Sequence, residues 1–490
     1  MLLKSRSLQL RDIESKMKGA SSYDDWKKAA LEHDEVSGRS EWKQKRESKS
    51  YDYANIESRL RELRDLRCEG DNVGLLFALN EGIHGNMGGM GKSALHEKAK
   101  FGTKQLIIDY VDELVESLKH ISTLPDSDIS REDKLDFFER ASLCFGRSAL
   151  MLSGAGSLGH FHTGVVKTLF EHQLLPNVIS GSSAGLVIAG VLGTHTDNEL
   201  RARFQDDLLL GQEQALHEMQ SGAQRPQIDV NDVHTMLNAM IPDMTFQEAF
   251  ELTGRMINVT IAPLEEYQSS RLMNAITSPN VLIRSAVLAS CAVPGVFPPV
   301  MLMARNVYGE TQPYLPERRW IDGAVTDDLP AKRLARLYGV NHYIVSQANP
   351  LALAMMKSDS YWLAPRGVKE VVRKAGREWL RSGETFSRRY LRPWPEVSKA
   401  MNMFYTVATQ DYTGDITIIP SFGFVDPQKL LGHLTIEEIQ ALVTEGQRAT
   451  WPRLEQIRIA TQIGKALDAI LADHGNHDVR KTYKLRTARR

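Results

Sequence analysis

Two short glycine turns, each set between an apolar run and a helical one, leave few architectures open to this chain. The first, Gly154-Ala155-Gly156-Ser157-Leu158-Gly159, follows Ala149-Leu150-Met151-Leu152 and precedes a helical pattern from Gly164 to Phe170. The second, Gly181-Ser182-Ser183-Ala184-Gly185, follows Asn177-Val178-Ile179-Ser180 and opens a helical pattern from Leu186 to Leu192. Apolar strands alternating with helical patterns from Ser148 to Asn349 predict an α/β core, a parallel sheet covered on both faces. In the second turn the spacing G-x-S-x-G puts Ser183 on a strained strand-to-helix elbow with its hydroxyl exposed. Gly181 and Gly185 let the backbone turn that tightly, with Ser182 and Ala184 flanking the serine.

The glycine turn offers free backbone N–H groups ahead of a helix, a setting that binds anions. Beside a nucleophilic serine the anion is a tetrahedral oxyanion, and the N–H groups of Ala155, Gly156 or a neighbour would face the developing charge. In a dinucleotide site it is a pyrophosphate, which also needs an acidic residue about 20 residues on, at the end of the next strand. That place is taken by the serine elbow, which favours the oxyanion reading.

A nucleophilic serine needs a base. His160 and His162 start the helix after the glycine turn, a position equally suited to capping or packing. The order serine, acid, histidine would call on His342, His433, His474 or His477, none in a favourable setting. Asp322 ends the strand-like run Trp320-Ile321-Asp322 ahead of Gly323 and Ala324, and it could accept the proton directly. Asp-Gly on its own reads as a turn.

Glycine turn, G-x-S-x-G and D-G-A, in this order, are the three motifs of the patatin-like phospholipases, and the chain resembles that family. The resemblance implies a patatin-like three-layer α/β/α hydrolase core with a Ser-Asp dyad and no histidine. Ser183 is then the nucleophile, Asp322 the general base, and Gly154 to Gly159 the oxyanion-hole loop. The run from Ala286 to Ala292, continuing as Val293-Pro294-Gly295-Val296-Phe297-Pro298-Pro299, resembles the segment bordering the cleft in that family. Asp322 to Pro330, Ser346-Gln347-Ala348-Asn349-Pro350 and Tyr412 to Pro420 look like the fungal and plant storage-triacylglycerol lipases. Trp42-Lys43, Tyr51-Asp52-Tyr53, Arg59-Leu60 and Gly102-Thr103-Lys104-Gln105-Leu106-Ile107 resemble the accessory domain preceding the core in those proteins. The likeness runs from roughly residue 20 to 425 and implies hydrolysis of lipid acyl esters, triacylglycerol first and phospholipid as the alternative. A non-catalytic lipid-binding protein on the same fold is the reading from another class. The motif H-x-x-x-x-D, carried by some of these lipases for acyl transfer, has no counterpart here.

At 490 residues, 42% hydrophobic and 25% charged, the chain holds enough apolar material for two or three domains. The expected divisions are a helical N-terminal domain over 1–122, a linker over 123–146, the catalytic core over 147–350 and a mainly helical extension with a basic tail over 351–490. A net charge of −1 argues against a nucleic-acid partner. Cys68, Cys144 and Cys291 are odd in number and widely spaced, which suits reduced cytosolic thiols rather than a disulfide framework or a zinc site. No metal or organic cofactor is expected. Neither a signal peptide nor a run of about 18 apolar residues is present, so the expectation is a cytoplasmic protein in peripheral contact with a membrane or lipid droplet. Basic and aromatic residues between Tyr361 and Arg392 suit such contact, and equally suit a solvated helix packed through Val371, Val372 and Trp379. Gly85 to Ser93 nearly spells a phosphate-binding loop, but Asn86 stands where glycine is required and the run before it reads as helix.

Overall fold

The computed structural model describes residues 2–81, 83, 86–205, 230–265, 268–293, 297–323, 328–350, 352–353, 413–421, 432 and 434–473. Ala324, His433, His474, His477, the 361–392 stretch and the basic tail lie outside the described residues.

In chain order the elements are α1 (Leu2–Gly19), α2 (Tyr23–Val36), α3 (Arg39–Gln44), α4 (Tyr53–Glu69), α5 (Asn72–Asn80), α6 (Ser93–His96), α7 (Gln105–Thr123) and α8 (Arg131–Phe145). Then come β1 (Arg147–Leu152), α9 (His160–Glu171), β2 (Val178–Gly181), α10 (Ala184–Thr194), α11 (Asp197–Gln205), α12 (Val230–Met240), α13 (Phe246–Thr253), β3 (Met256–Pro263) and β4 (Arg271–Met273). The rest is α14 (Ile283–Cys291), β5 (Leu302–Arg305), β6 (Thr311–Tyr314), β7 (Trp320–Asp322), α15 (Ala331–Tyr338), β8 (Val340–Ser346), β9 (Ile416–Ile418), α16 (Ile436–Thr450) and α17 (Leu454–Asp473). The chain divides into two compact units, Met1–Ser148 with Tyr338–His342 and Thr450–Arg490, and Ala149–Leu337 with Tyr343–Ala449.

The first unit is helical. Along α7, Leu106, Ile107, Tyr110, Val111, Leu114, Leu118 and Ile121 are buried, a wide stripe at helical spacing that must be covered. It joins one apolar cluster with Ile56, Leu60 and Leu63 of α4, Phe137 and Phe138 of α8, and Ile463 and Leu467 of α17. The span 123–146, read from its polar start as a linker, therefore contains a helix whose two phenylalanines are fully buried. The C-terminal helix α17 packs within this unit through the same cluster. Asp34 is fully buried, which an isolated charge would not tolerate. It accepts from Lys43 Nζ at 2.9 Å and from the N–H groups of Lys100 and Phe101 at 2.8 and 3.1 Å. The near-miss phosphate loop follows helix α5, and Lys92 gives its ammonium to the Ser50 carbonyl at 3.1 Å.

The second unit is built on a sheet of order β4-β3-β2-β1-β8-β9, with β7 also paired to β3. Every residue of β2 and β3 is buried, so both faces of the sheet are covered and the layering is α/β/α. The pairs β1–β2, β2–β3 and β8–β9 are parallel, as expected. The sheet as a whole is mixed, because β4 and β7 run antiparallel to β3. The connection from Pro263 to Arg271 is shorter than the dozen or so residues a parallel crossover requires, so the chain can only turn back. Helix α9 approaches α16 at a point where side chains would collide. A Cβ on Gly164 would lie 1.9 Å from the Val443 carbonyl oxygen, and one on Gly446 would lie 2.1 Å from that of Phe161.

Candidate active site

Strands β1 and β2 end side by side, Leu152 opposite Gly181, so the two glycine turns leave the carboxyl edge of the sheet together. The serine turn is held from below: Ser182 N–H donates to the Leu152 carbonyl at 3.1 Å. Ser183 then adopts φ 48° and ψ −121° before α10 begins at Ala184. A non-glycine residue at positive φ is strained, and such strain collects at functional sites. Its N–H points to Ser290 Oγ at 3.3 Å, and Ser290 in turn donates to the Thr260 carbonyl at 2.8 Å. Gly185 is required by close approach, since a Cβ there would sit 2.6 Å from the Leu152 carbonyl oxygen.

The glycine turn folds as a single tight turn over Gly156–Gly159 ahead of α9, with Gly156 at φ 55°. It rests on the serine turn: a Cβ on Gly159 would be 2.7 Å from the Ala184 Cβ, so only glycine lets the two meet. The Leu158 N–H is used within the turn, on the Ala155 carbonyl at 3.2 Å, and Ser157 is partly exposed. The Gly154 N–H is also committed, to Asp328 Oδ1 at 2.9 Å. The N–H groups of Ala155 and Gly156 have no partner among the described residues, as expected ahead of the first helical hydrogen bonds.

Asp322 closes β7. Strands β2 and β7 pair with the same edge of β3, since β4 holds the other edge at both Val259 and Ile261; Gly181 lies opposite Val259 and Asp322 opposite Ile261, so Asp322 stands just beyond the end of β2, where the chain turns away at Ser183. The Asp322 N–H is anchored on the Ala292 carbonyl at 3.0 Å, just past α14, and the residue is 3% exposed. Its charge is felt by Cys291, whose thiol is pushed up by burial and then by the neighbouring Asp322 carboxylate. Gly323 follows where β3 leaves no room, a Cβ there falling 2.5 Å from the Thr260 carbonyl carbon.

The histidines are placed otherwise. His162 is fully buried, with Nδ1 facing Ser346 Oγ at 2.7 Å and Nε2 facing the Ser153 carbonyl at 3.0 Å. A carbonyl only accepts, so Nε2 carries the proton and Nδ1 takes the Ser346 hydroxyl; both ring positions are occupied. Burial pushes this imidazole down to about 4. Desolvation likewise pushes His160 down to about 4. His342 faces Ser148 Oγ at 3.0 Å. Four residues to which the sequence reading assigns no individual role hold the site, Ser290, Asp328, Ser153 and Ser346, although all but Ser153 lie in runs that carry the family resemblance. Their signal was faint, small or acidic polar residues inside apolar runs.

A cavity of about 460 Å³ opens beside α14, lined by Leu237, Leu282, Leu288, Val300, Met301 and Met303 among others. At about 100° per residue, Leu288 and Ser290 point to opposite sides of that helix, and no residue of the serine turn is among those lining the cavity. Among the described residues no group of three or more His, Cys, Asp or Glu could hold a metal ion, and no helix is long and apolar enough to cross a membrane.

A strained serine at a strand-to-helix turn, a glycine turn against it and an acid further along the same edge of β3 define an α/β protein of the serine-elbow class. Residues 150–335 match the family described as Patatin-like phospholipase, and residues 3–143 match a domain of unknown function, DUF3336. Triacylglycerol lipase ptl3 of Schizosaccharomyces pombe is 32% identical over 462 residues, covering 91% of this chain and 94% of its own length. Triacylglycerol lipase SDP1L of Arabidopsis thaliana is 33% identical over 477 residues, and Triacylglycerol lipase 4 of Saccharomyces cerevisiae 32% over 478. Each covers 92% of this chain, which spans only 57% and 52% of those two relatives. The chain belongs to the patatin-like phospholipase family, with a DUF3336 domain ahead of the core.

Proposed function

We propose that this protein hydrolyses carboxylic esters of lipids, triacylglycerol foremost, through a Ser183–Asp322 dyad. The observation that carries the reading is the strained Ser183 turn, flanked by the Gly154–Gly159 turn and, two residues further along the same edge of β3, by Asp322. Asp322 takes the proton from Ser183 Oγ as the oxygen attacks the ester carbonyl. The oxyanion is held by N–H groups of the glycine turn, with Ala155 and Gly156 as donors. Collapse breaks the ester C–O bond, and Asp322 returns its proton to the departing alcohol, leaving an acyl group on Ser183. Water, giving a proton to Asp322, attacks the acyl carbonyl and releases the fatty acid, the Ser183 oxygen recovering that proton.

The names of the relatives support triacylglycerol as substrate, and the family description keeps phospholipid as the second reading. A water-insoluble substrate also favours peripheral contact of a cytoplasmic protein with a membrane or lipid-droplet surface. Fatty-acid release from triolein and from phosphatidylcholine vesicles, by wild type and Ser183→Ala, separates these readings. Release from triolein by wild type alone is expected. Release chiefly from vesicles turns the assignment to a phospholipase, and turnover surviving in Ser183→Ala removes the dyad.

A further inference from the structure

We infer that Asp328 is a positioning residue for acyl transfer, holding the glycine turn at a fixed height over Ser183; this rests on the proposed roles of Ser183 and the turn. Asp328 is 1% exposed. Its carboxylate accepts the Gly154 N–H at 2.9 Å, and its main-chain carbonyl accepts Ser182 Oγ at 2.9 Å. One residue thus binds the first residue of the glycine turn and the residue before the nucleophile.

The chemistry follows from where these bonds fall. The Asp328 Oδ1 accepts the Gly154 N–H, which takes that group out of the oxyanion set and fixes the peptide plane from which the next N–H groups are aimed. Ala155 and Gly156 follow immediately, and their N–H groups are those without partners among the described residues. The Ser182 bond fixes the height of the serine turn against the same group. A donor displaced by about 1 Å costs on the order of 10²-fold in rate. Through these two bonds Asp328 supplies a polar link between the glycine turn and the serine turn, beside the close approach of Gly159 to Ala184.

The test compares Asp328→Ala, Asp328→Asn and Asp328→Glu in the full chain. Each is measured with a soluble ester, with a trifluoromethyl ketone that becomes tetrahedral on Ser183, and with an ether analogue that never does. Asp328→Ala should lose about 10²-fold in kcat and in trifluoromethyl ketone affinity, with KM and ether binding changed by no more than about threefold. Asp328→Asn retains an oxygen to accept the Gly154 N–H and should keep analogue affinity within about tenfold of wild type. Asp328→Glu, one methylene longer, pushes the turn and should behave as Asp328→Ala does. Where Asp328→Ala fails to fold, the order of Asn above Glu carries the test. Equal losses in ketone and ether binding, Glu matching wild type, or Asn falling as far as Glu each overturn the inference. Ser183→Ala is the control: turnover surviving there removes the reading of the site, whereas an inert Ser183→Ala with a fully active Asp328→Glu removes Asp328 alone.

Discussion

Replacing Ser183 by glycine should stabilise the protein while silencing it. The pair φ 48° and ψ −121° is close to the first central position of a type II′ turn, which glycine adopts freely and other residues do not. Holding a non-glycine residue there costs about 1–3 kcal/mol. Glycine recovers that strain but loses about 0.4–1 kcal/mol through the greater freedom of the unfolded chain. The net gain is about 1 kcal/mol, or roughly 2–4 °C in Tm for a cooperative unit of about 150–250 residues. Alanine is the matched control, since it removes the hydroxyl yet keeps the Cβ that makes the backbone strained. Ser183→Gly and Ser183→Ala should therefore be equally inert, with Gly alone shifted upward in thermal unfolding. If Ala gains as much as Gly, or Gly is the less stable, the elbow is not strained and the argument from its geometry fails.

Three further outcomes are expected. Asp322→Asn cannot take the proton and should lower kcat by about 10²–10⁴-fold with little change in Tm, measured on a soluble ester. Gly159→Ala brings a Cβ to 2.7 Å from that of Ala184, so the two turns must separate; turnover should fall by about 10²-fold, and unchanged kinetics would mean that the turns do not cooperate. His96, His160 and His162 are each pushed from 6.5 down to about 4, mainly by burial, so between these values the unfolded chain binds protons that the folded chain refuses. Stability should thus be full above pH 6.5 and fall as pH drops toward about 4, and urea midpoints at about pH 7.5 and about pH 5 check this, with a smaller difference in His162→Gln.

The parts of this molecule that show in the sequence are those whose signal is local. The serine elbow, the glycine turn and the helices around Leu106 and Ile56 are each written within about a dozen residues, by turn chemistry or a 3.6-residue stripe. An apolar stripe names a face and not a partner, so nothing near Ile463 and Leu467 reveals that they join the same cluster as Phe137. The polar stretch opening at Thr123 conceals α8 because its helical face is narrow, with Phe137, Phe138, Ala141 and Phe145 as its buried apolar residues. The antiparallel β4 and β7 are likewise hidden, since strand direction depends on the length of a connection and not on strand composition. In the site, the glycines and Ser183 are legible by spacing. Asp328 is not, because its bonds reach Gly154 and Ser182 across 174 and 146 residues.

The most direct test of the proposed nucleophile is to label the purified protein with a fluorophosphonate and map the adduct by peptide mass spectrometry. The adduct should fall on Ser183, require Asp322 for its rate and vanish in Ser183→Ala. An adduct on any other residue, or labelling undiminished in Ser183→Ala, contradicts the account.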